Sequence, residues 1–209
     1  GALDRLTGDA GFDGAVNGDL SLDSLSRHFP AQDGSTLAGR IAMDLHGRAR
    51  LSQLDLGRIG AARIGGHLTM DDLVVVMPSR RFRLAVDGGR FGMGTGLAAS
   101  DSLIADGTEA IGATLSLDTV DLDMGDDLCI KGQKIKIHAT TATKNLVRDT
   151  TAVHPSQGTL AAAGLHIKLG DSMTVIGRRL DSHWSILPAR DNPKIPQLAF
   201  QADARRLSL

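Results

Sequence analysis

The sequence predicts an all-β chain: a curved, bulged antiparallel sheet with few short helices. Three observations carry this. Apolar and polar residues alternate with period two, as in Leu20-Ser-Leu22, Leu54-Asp-Leu56, Leu115-Ser-Leu117, Ile135-Lys-Ile137 and Ile167-Lys-Leu169, the pattern of half-buried strands. Turn-forming clusters such as Gly8-Asp9-Ala10-Gly11, Asp33-Gly34, Asp87-Gly88-Gly89, Asp106-Gly107 and Gly125-Asp126-Asp127 punctuate it at short intervals. Segments of about ten or more residues with helical period are missing. Many short strands joined by tight turns read as an antiparallel architecture.

A repeated unit, small–x–φ–x–φ–x–x–φ–x–φ with φ apolar, sets the elements in order. Gly18-Asp-Leu20-Ser-Leu22-Asp-Ser-Leu25 opens the series and fits until its last position, and Ser24 to Phe29 reads as a short turn of helix. Gly47-Arg-Ala49-Arg-Leu51-Ser-Gln-Leu54-Asp-Leu56 and Gly66-His-Leu68-Thr-Met70-Asp-Asp-Leu73-Val-Val75 fit in full. Phe91-Gly92-Met93-Gly94-Thr95-Gly96 reads as a bulged or flattened strand, since it lacks the spacing of a phosphate loop and no helix start follows. Ala113-Thr-Leu115-Ser-Leu117-Asp-Thr-Val120-Asp-Leu122 is the next full unit. Ala139 to Val147 reads as a second short helix, within a polar, Thr-rich excursion over 140–157. Gly158-Thr-Leu160-Ala-Ala-Ala-Gly-Leu165-His-Ile167 resumes the pattern. A loop over 187–198 carries Pro188, Pro193 and Pro196, and Ala202 to Leu209 forms the last strand. No composition shift marks a boundary, so 1–209 reads as a single β-rich domain, one piece of a longer protein whose Gly1 is the remnant of a cleaved tag.

The unit has a geometric consequence. Its third apolar residue comes three positions after the second, which would send it to the opposite face of a flat strand. A β-bulge or sharp bend at the x–x pair restores the face. The pairs are Asp23-Ser24, Ser52-Gln53, Asp71-Asp72, Asp118-Thr119, Ala163-Gly164 and Arg205-Arg206. Bulges at one level in many strands curve a sheet strongly. The curved sheet then closes as a barrel, folds over as a sandwich or stays open as a groove.

Composition narrows the function. The 209 residues are 42% apolar and 22% charged with net charge −1, which fits a folded domain and argues against binding nucleic acid through a basic face. Aromatics are 3%, with no Tyr and one Trp, so the usual anchors of enzyme pockets and binding hot spots are scarce. The single Cys129 excludes an internal disulfide framework and reads as a small buried hydrophobe. The seven His residues form no H-x-H or H-x-x-x-H pair, although Asp44 with His46 and Asp181 with His183 share strand faces. Asp121, Asp123, Asp126 and Asp127 lack the closing Glu of a calcium loop; the chain's one Glu is Glu109. Arg80-Arg81-Phe82-Arg83 and Arg205-Arg206 read as solvated faces or turns. No catalytic residue, metal ligand or cofactor site is assigned.

The recurring G-x-L-x-L-x-x-L-x-L phrase, best at Gly47 to Leu56, Gly66 to Val75 and Ala113 to Leu122, resembles the AsmA-like/TamB family. With Gly18 to Leu25 and Gly158 to Ile167 the resemblance runs along most of the chain. It implies an open β-groove (a β-taco) or partial barrel with an apolar concave interior. It implies a periplasmic protein tethered to the inner membrane of a Gram-negative envelope, without enzymatic activity. Its partners would be phospholipid or other lipid, outer-membrane assembly proteins and further repeats of the parent chain, with no nucleic acid. Its role would be lipid transport in outer-membrane biogenesis. The inward candidates are Leu20, Leu22, Leu25, Ala49, Leu51, Leu54, Leu56, Leu68, Met70, Leu73, Val75, Leu115, Leu117, Val120, Leu122, Leu160, Leu165 and Ile167. The alternative is a structural or adhesive β-sandwich or stalk module with a filled core and no ligand. An enzyme with a dispersed site ranks last.

Overall fold

Alternation along the chain becomes nine strands: β1 (Gly11–Ser21), β2 (Thr36–Arg50), β3 (Arg63–Met77), β4 (Phe82–Gly94), β5 (Ala110–Asp123), β6 (Leu128–Ala142), β7 (Ser156–Leu169), β8 (Met173–Pro188) and β9 (Pro196–Ser208). The computed structural model describes residues 10–28, 33–53, 59–95, 109–146 and 152–208, with the side chains of β9 described to Arg205. Each strand pairs antiparallel with its sequence neighbours, giving one sheet in the order β1 to β9. The sheet is not closed, so β1 and β9 each keep a free edge.

The strands are fewer and longer than the turn clusters suggested. Asp33-Gly34 and Gly125-Asp126-Asp127 do turn the chain, and Asp123 Oδ1 accepts a hydrogen bond from Gly125 N–H at 2.8 Å. Asp87-Gly88-Gly89 does not; it lies within β4. Asp106-Gly107 lies outside the described residues. The helix expected over Ala139 to Val147 is replaced by the end of β6 and a 3-10 turn at Thr143–Leu146. There Thr140 pairs with Gln157 and Ala142 with Ala110, and β-branched Thr140 and Thr141 favour the pleat over a helix. The polar excursion therefore shortens to the stretch between Ala142 and Ser156. The proline-rich loop shortens too: Pro188 and Pro196 pair at the ends of β8 and β9, where a missing N–H costs least. The expected early helix forms as α1 (Leu22–His28), with Asp23 in its first turn and Arg27 and His28 in its last.

A transverse crease organises the sheet. Asp72 in β3, Gly88 in β4, Lys134 in β6 and Arg179 in β8 have φ of 51°, 59°, 50° and 55°, all left-handed. They lie along one line, yet pairing continues in one register across it. Met70↔Gly89 is followed by Leu73↔Val86, Leu117↔Ile135 by Thr119↔Gln133, and Ala162↔Leu180 by Gly164↔Arg178. From β3 to β8 each strand inserts its extra residue at the same level, so these neighbours do not slip, whereas β9 shifts its register against β8 on either side of Arg178. Met70 and Leu73 accordingly reach one apolar cluster with Leu117 and Val120. Asp71-Asp72, Asp118-Thr119, Ala163-Gly164 and Arg205-Arg206 fall on this line. Asp23-Ser24 and Ser52-Gln53 do not, because the first lies in α1 and the second in a 3-10 turn after β2.

β2 meets the crease differently. It lacks the extra residue, so Asp72 and Leu73 of β3 bulge against the single Gly39, whose φ is 107°. A Cβ on Gly39 would lie 2.5 Å from the Asp72 carbonyl oxygen. The Gly39 N–H donates to Asp23 Oδ2 of α1 at 3.0 Å, and Ser26 Oγ donates to the Leu37 carbonyl at 2.6 Å. Both bonds seat α1 on the sheet, where Leu22 is 3% exposed against Leu73 and Val86. Burying side chains of this size stabilises by roughly 1.5–3 kcal/mol each.

Across the free-edge strand β1, Asp13 pairs with Arg48 and Asp19 with Arg40 of β2. The Arg40 hydrogen bonds hold the Asp19 carboxyl below its ordinary value.

Three outcomes are expected. Gly39→Ala forces a side chain into a left-handed, closed position and lowers unfolding free energy by about 3 kcal/mol in urea titrations. Arg179→Gly relieves a left-handed residue, worth roughly 1–2 kcal/mol, and loses part of that to chain entropy, for a net gain of up to about 1 kcal/mol. For Asp19 the folded value is depressed, so its stabilisation is present above the ordinary value of 3.8 and is lost as pH falls through the folded one. The stability difference between the parent and Asp19→Asn, measured by urea midpoint, therefore shrinks to nothing as pH drops below 3.8.

Candidate functional site

Register and alternation together assign every strand residue to one of two faces. On one face, five cross-strand rows are apolar. The outermost complete row runs Val16, Leu45, Gly66, Met93, Ala113, Ala139, Gly158, Trp184 and Phe200, touching all nine strands. The next runs Gly18, Met43, Leu68, Phe91, Leu115, Ile137, Leu160, Ser182 and Ala202. The third holds Leu20, Ile41, Met70, Gly89, Leu117 and Ile135. Beyond the crease come Leu73, Val86, Val120, Gly132, Leu165 and Gly177, then Leu37, Val75, Leu84, Leu122, Ile130, Ile167 and Val175. Nine strands at about 4.8 Å spacing make this lane about 38 Å across the strands.

The lane is paved. Its glycines are roofed by apolar neighbours: a Cβ on Gly18 would lie 2.9 Å from the Met43 methyl, on Gly66 2.5 Å from Leu45 Cδ2, and on Gly132 2.4 Å from Ile135 Cδ1. Gly158 lies beneath the Trp184 indole in the same way, 2.6 Å from where its Cβ would be. Large side chains thus lie across small ones, which leaves a smooth apolar surface.

The two halves of the lane differ in cover. On the inner half, α1 closes the surface over β2–β5 through Leu22. A cleft of about 340 Å³ between α1 and the sheet is lined by Leu25, Leu37, Val75 and Met77. The outer half is open: Leu45 is 47%, Met93 50% and Phe200 67% exposed. An apolar surface of this extent exposed to water marks a contact site.

The inward candidates divide accordingly. Leu20, Leu68, Met70, Leu73, Val75, Leu115, Leu117, Val120, Leu122, Leu160, Leu165 and Ile167 share the apolar face. Leu22 and Leu25 sit on α1, Leu22 packed down on the lane and Leu25 in the cleft. Ala49 is buried opposite Phe12 at the far end of β1 and β2. Leu51 leaves the sheet in a 3-10 turn and is 62% exposed. Leu54 and Leu56 lie outside the described residues. The inward candidates read from the sequence include none in β4, β6 and β8, whose lane residues include Val86, Phe91, Ile130, Ile137, Leu180 and Trp184. The signal was present: Val86-x-x-Gly89-x-Phe91, Gly132-x-x-Ile135-x-Ile137 and Gly177-x-x-Leu180 keep the spacing with Gly in an apolar position.

The opposite face is polar. Asp121 pairs with Arg83 at 3.4 Å and Lys131 at 3.8 Å, Asp126 with Arg81 at 3.4 Å, and Lys134 with Asp118 at 2.7 Å. Exposed pairs of this kind contribute about 0–1 kcal/mol each. A groove of about 540 Å³ beside the crease opens on this face, between side chains such as Val74, Asp121, Lys131 and His166. Among the described residues, no three His, Cys, Asp or Glu side chains come together to hold a metal ion. No described helix is long and apolar enough to cross a membrane.

Comparison of the chain with protein-family models, with curated proteins and with solved structures finds no match.

Proposed function

We propose that this chain is a non-enzymatic lipid-handling module of the cell envelope, in the manner of the AsmA-like/TamB family, whose apolar lane carries acyl chains. The observation that supports it is the outer half of the lane: a smooth apolar surface crossing all nine strands and open to water at both sheet edges. Acyl chains ask for area and no directional partner, and each buried methylene contributes about 0.8 kcal/mol. The paving favours sliding. With glycines filled by Met43, Leu45, Ile135 and Trp184, the floor has no deep hole to trap one methyl terminus. On this reading the parent protein is periplasmic and tethered to the inner membrane, and the lane continues into further repeats beyond the free edges of β1 and β9.

Delipidated, folded protein incubated with phospholipid vesicles, recovered and extracted for mass spectrometry is expected to hold stoichiometric phospholipid. Leu45→Asp with Phe200→Asp places carboxylates in the open half. It is expected to reduce retained lipid at least tenfold, with a thermal midpoint close to the parent's because both side chains are exposed. A folded parent that retains no lipid above a denatured control would overturn the proposal and favour a structural module whose lane is covered by a protein partner.

A further inference from the structure

The polar face carries a second feature that the lipid reading does not use. Where β2, β3, β4 and β5 run side by side in the outer half of the sheet, a cavity of about 430 Å³ is rimmed by His46, His67, Arg90 and Thr114. Its floor is Gly65, Gly92 and Gly94, of which Gly92 and Gly94 are buried. The register explains the shape: His46 stands beside Gly65 and Gly65 beside Gly94, while His67 stands beside Gly92 and Gly92 beside Thr114. The backbones approach closely here, since a Cβ on Gly94 would lie 2.8 Å from Gly65 Cα. Side chains at these positions would fill the cavity.

The rim is chemically one-sided. Every polar group on it can donate a hydrogen bond, and no carboxylate lines it. Its donors are also uncommitted. Arg40, Arg48, Arg81 and Arg83 each hold an aspartate, whereas the side chains of Arg90, His46 and His67 make no hydrogen bond or ion pair among the described residues. Arg90 has Thr69 and Ser116 as its cross-strand neighbours, so neither adjacent strand offers a carboxylate directly beside it. Two further arginines stand near: Arg63 and Arg48 face one another in the next row and line an adjoining cavity of about 420 Å³. Arg48 engages Asp13, while Asp44 stands beside His67 and Asp71 lies two residues along from Thr69. The preference for an anion therefore rests on the donors of the rim itself, Arg90 above all.

We propose that this cavity is a ligand site for a phosphate group, either free in solution or presented at a membrane surface. The Arg90 guanidinium takes two phosphate oxygens through its fork, the imidazoles and the Thr114 hydroxyl take the rest, and the glycine floor lets the anion approach the backbone. The site faces away from the apolar lane, so it does not depend on the lane carrying lipid.

Calorimetric titration with inorganic phosphate and co-sedimentation with phosphatidylglycerol vesicles separate the two sources. Binding in either arm is expected to weaken at least tenfold in Arg90→Gln and to return only in part in Arg90→Lys, with the circular dichroism melt unchanged. Lys194→Gln, a remote charge loss, is expected to change binding less than twofold, and Phe200→Asp, on the lane, is expected to bind inorganic phosphate as the parent does. Phosphate binding names a small anion; binding to vesicles alone names a membrane surface. Absence of binding in both arms overturns the proposal. So does an equal loss in Arg90→Gln and Lys194→Gln, which would mean diffuse charge attraction, or a loss of inorganic-phosphate binding in Phe200→Asp as large as in Arg90→Gln, which would place the binding on the lane.

Discussion

The structure depends on one constraint: a strand that carries an extra residue must return to its original face after it, and β3 to β8 all do so at the same level. A single strand can absorb an extra residue by bulging against its neighbour, as β3 does at Asp72 and Leu73 against the single Gly39 of β2. When neighbours carry the same insertion in line, no pair slips, and the bend becomes a crease shared by the sheet. Left-handed residues at Asp72, Gly88, Lys134 and Arg179 are the local cost of that crease, about 1–2 kcal/mol for each that is not glycine. The return is a single apolar face that continues across the bend and a helix, α1, seated where the inner half would otherwise be wet.

Sequence patterning reached this crease wherever apolar residues filled every position. Asp71-Asp72 and Asp118-Thr119 could be placed because Leu68, Met70, Leu73, Val75 and their counterparts in β5 spell out the phase slip. In β4, β6 and β8 the same slip runs through Gly89, Gly132 and Gly177, and a glycine does not announce a face. The motif also misled where local chemistry intervened. Asp23-Ser24 sits in a helix start that Asp23 favours, and Ser52-Gln53 sits where β2 ends. Asp87-Gly88-Gly89 has the composition of a hairpin turn, and only its place opposite Asp71-Asp72 and Asp118-Thr119 makes it part of a strand. The choice among barrel, sandwich and open sheet was not legible, because it rests on which distant edges meet; here β1 and β9 do not.

Openness has a physical consequence beyond the lane. Unpaired N–H and C=O groups along β1 and β9 are a template for further strands. β1 carries Phe12, Val16 and Leu20 on the apolar face and β9 carries Leu198 and Phe200, all substantially exposed. A strand added at either edge would extend the lane by about 4.8 Å and bring its own apolar residues into the same rows. Edge and face therefore call for the same kind of continuation.

The end of β4 shows how one sheet serves two chemistries. Phe91 and Met93 point to the lane, and between and after them Gly92 and Gly94 floor the donor-lined cavity on the other side. The alternation that divides the faces is absolute over these four residues, so each face can be tuned without moving the other's side chains. The coupling that remains is backbone position. Gly65 and Gly94 approach more closely than side chains would allow, and Gly66, next to Gly65, lies under Leu45 in the lane. Glycine on either face gives room to a side chain of the adjacent strand: the His46 imidazole lies over Gly65 on the polar face, its Nε2 3.0 Å from where a Cβ would be, and Leu45 lies over Gly66 on the apolar one. What differs is the covering group, an imidazole with hydrogen-bonding nitrogens on one side and an alkyl chain laid flat to escape water on the other.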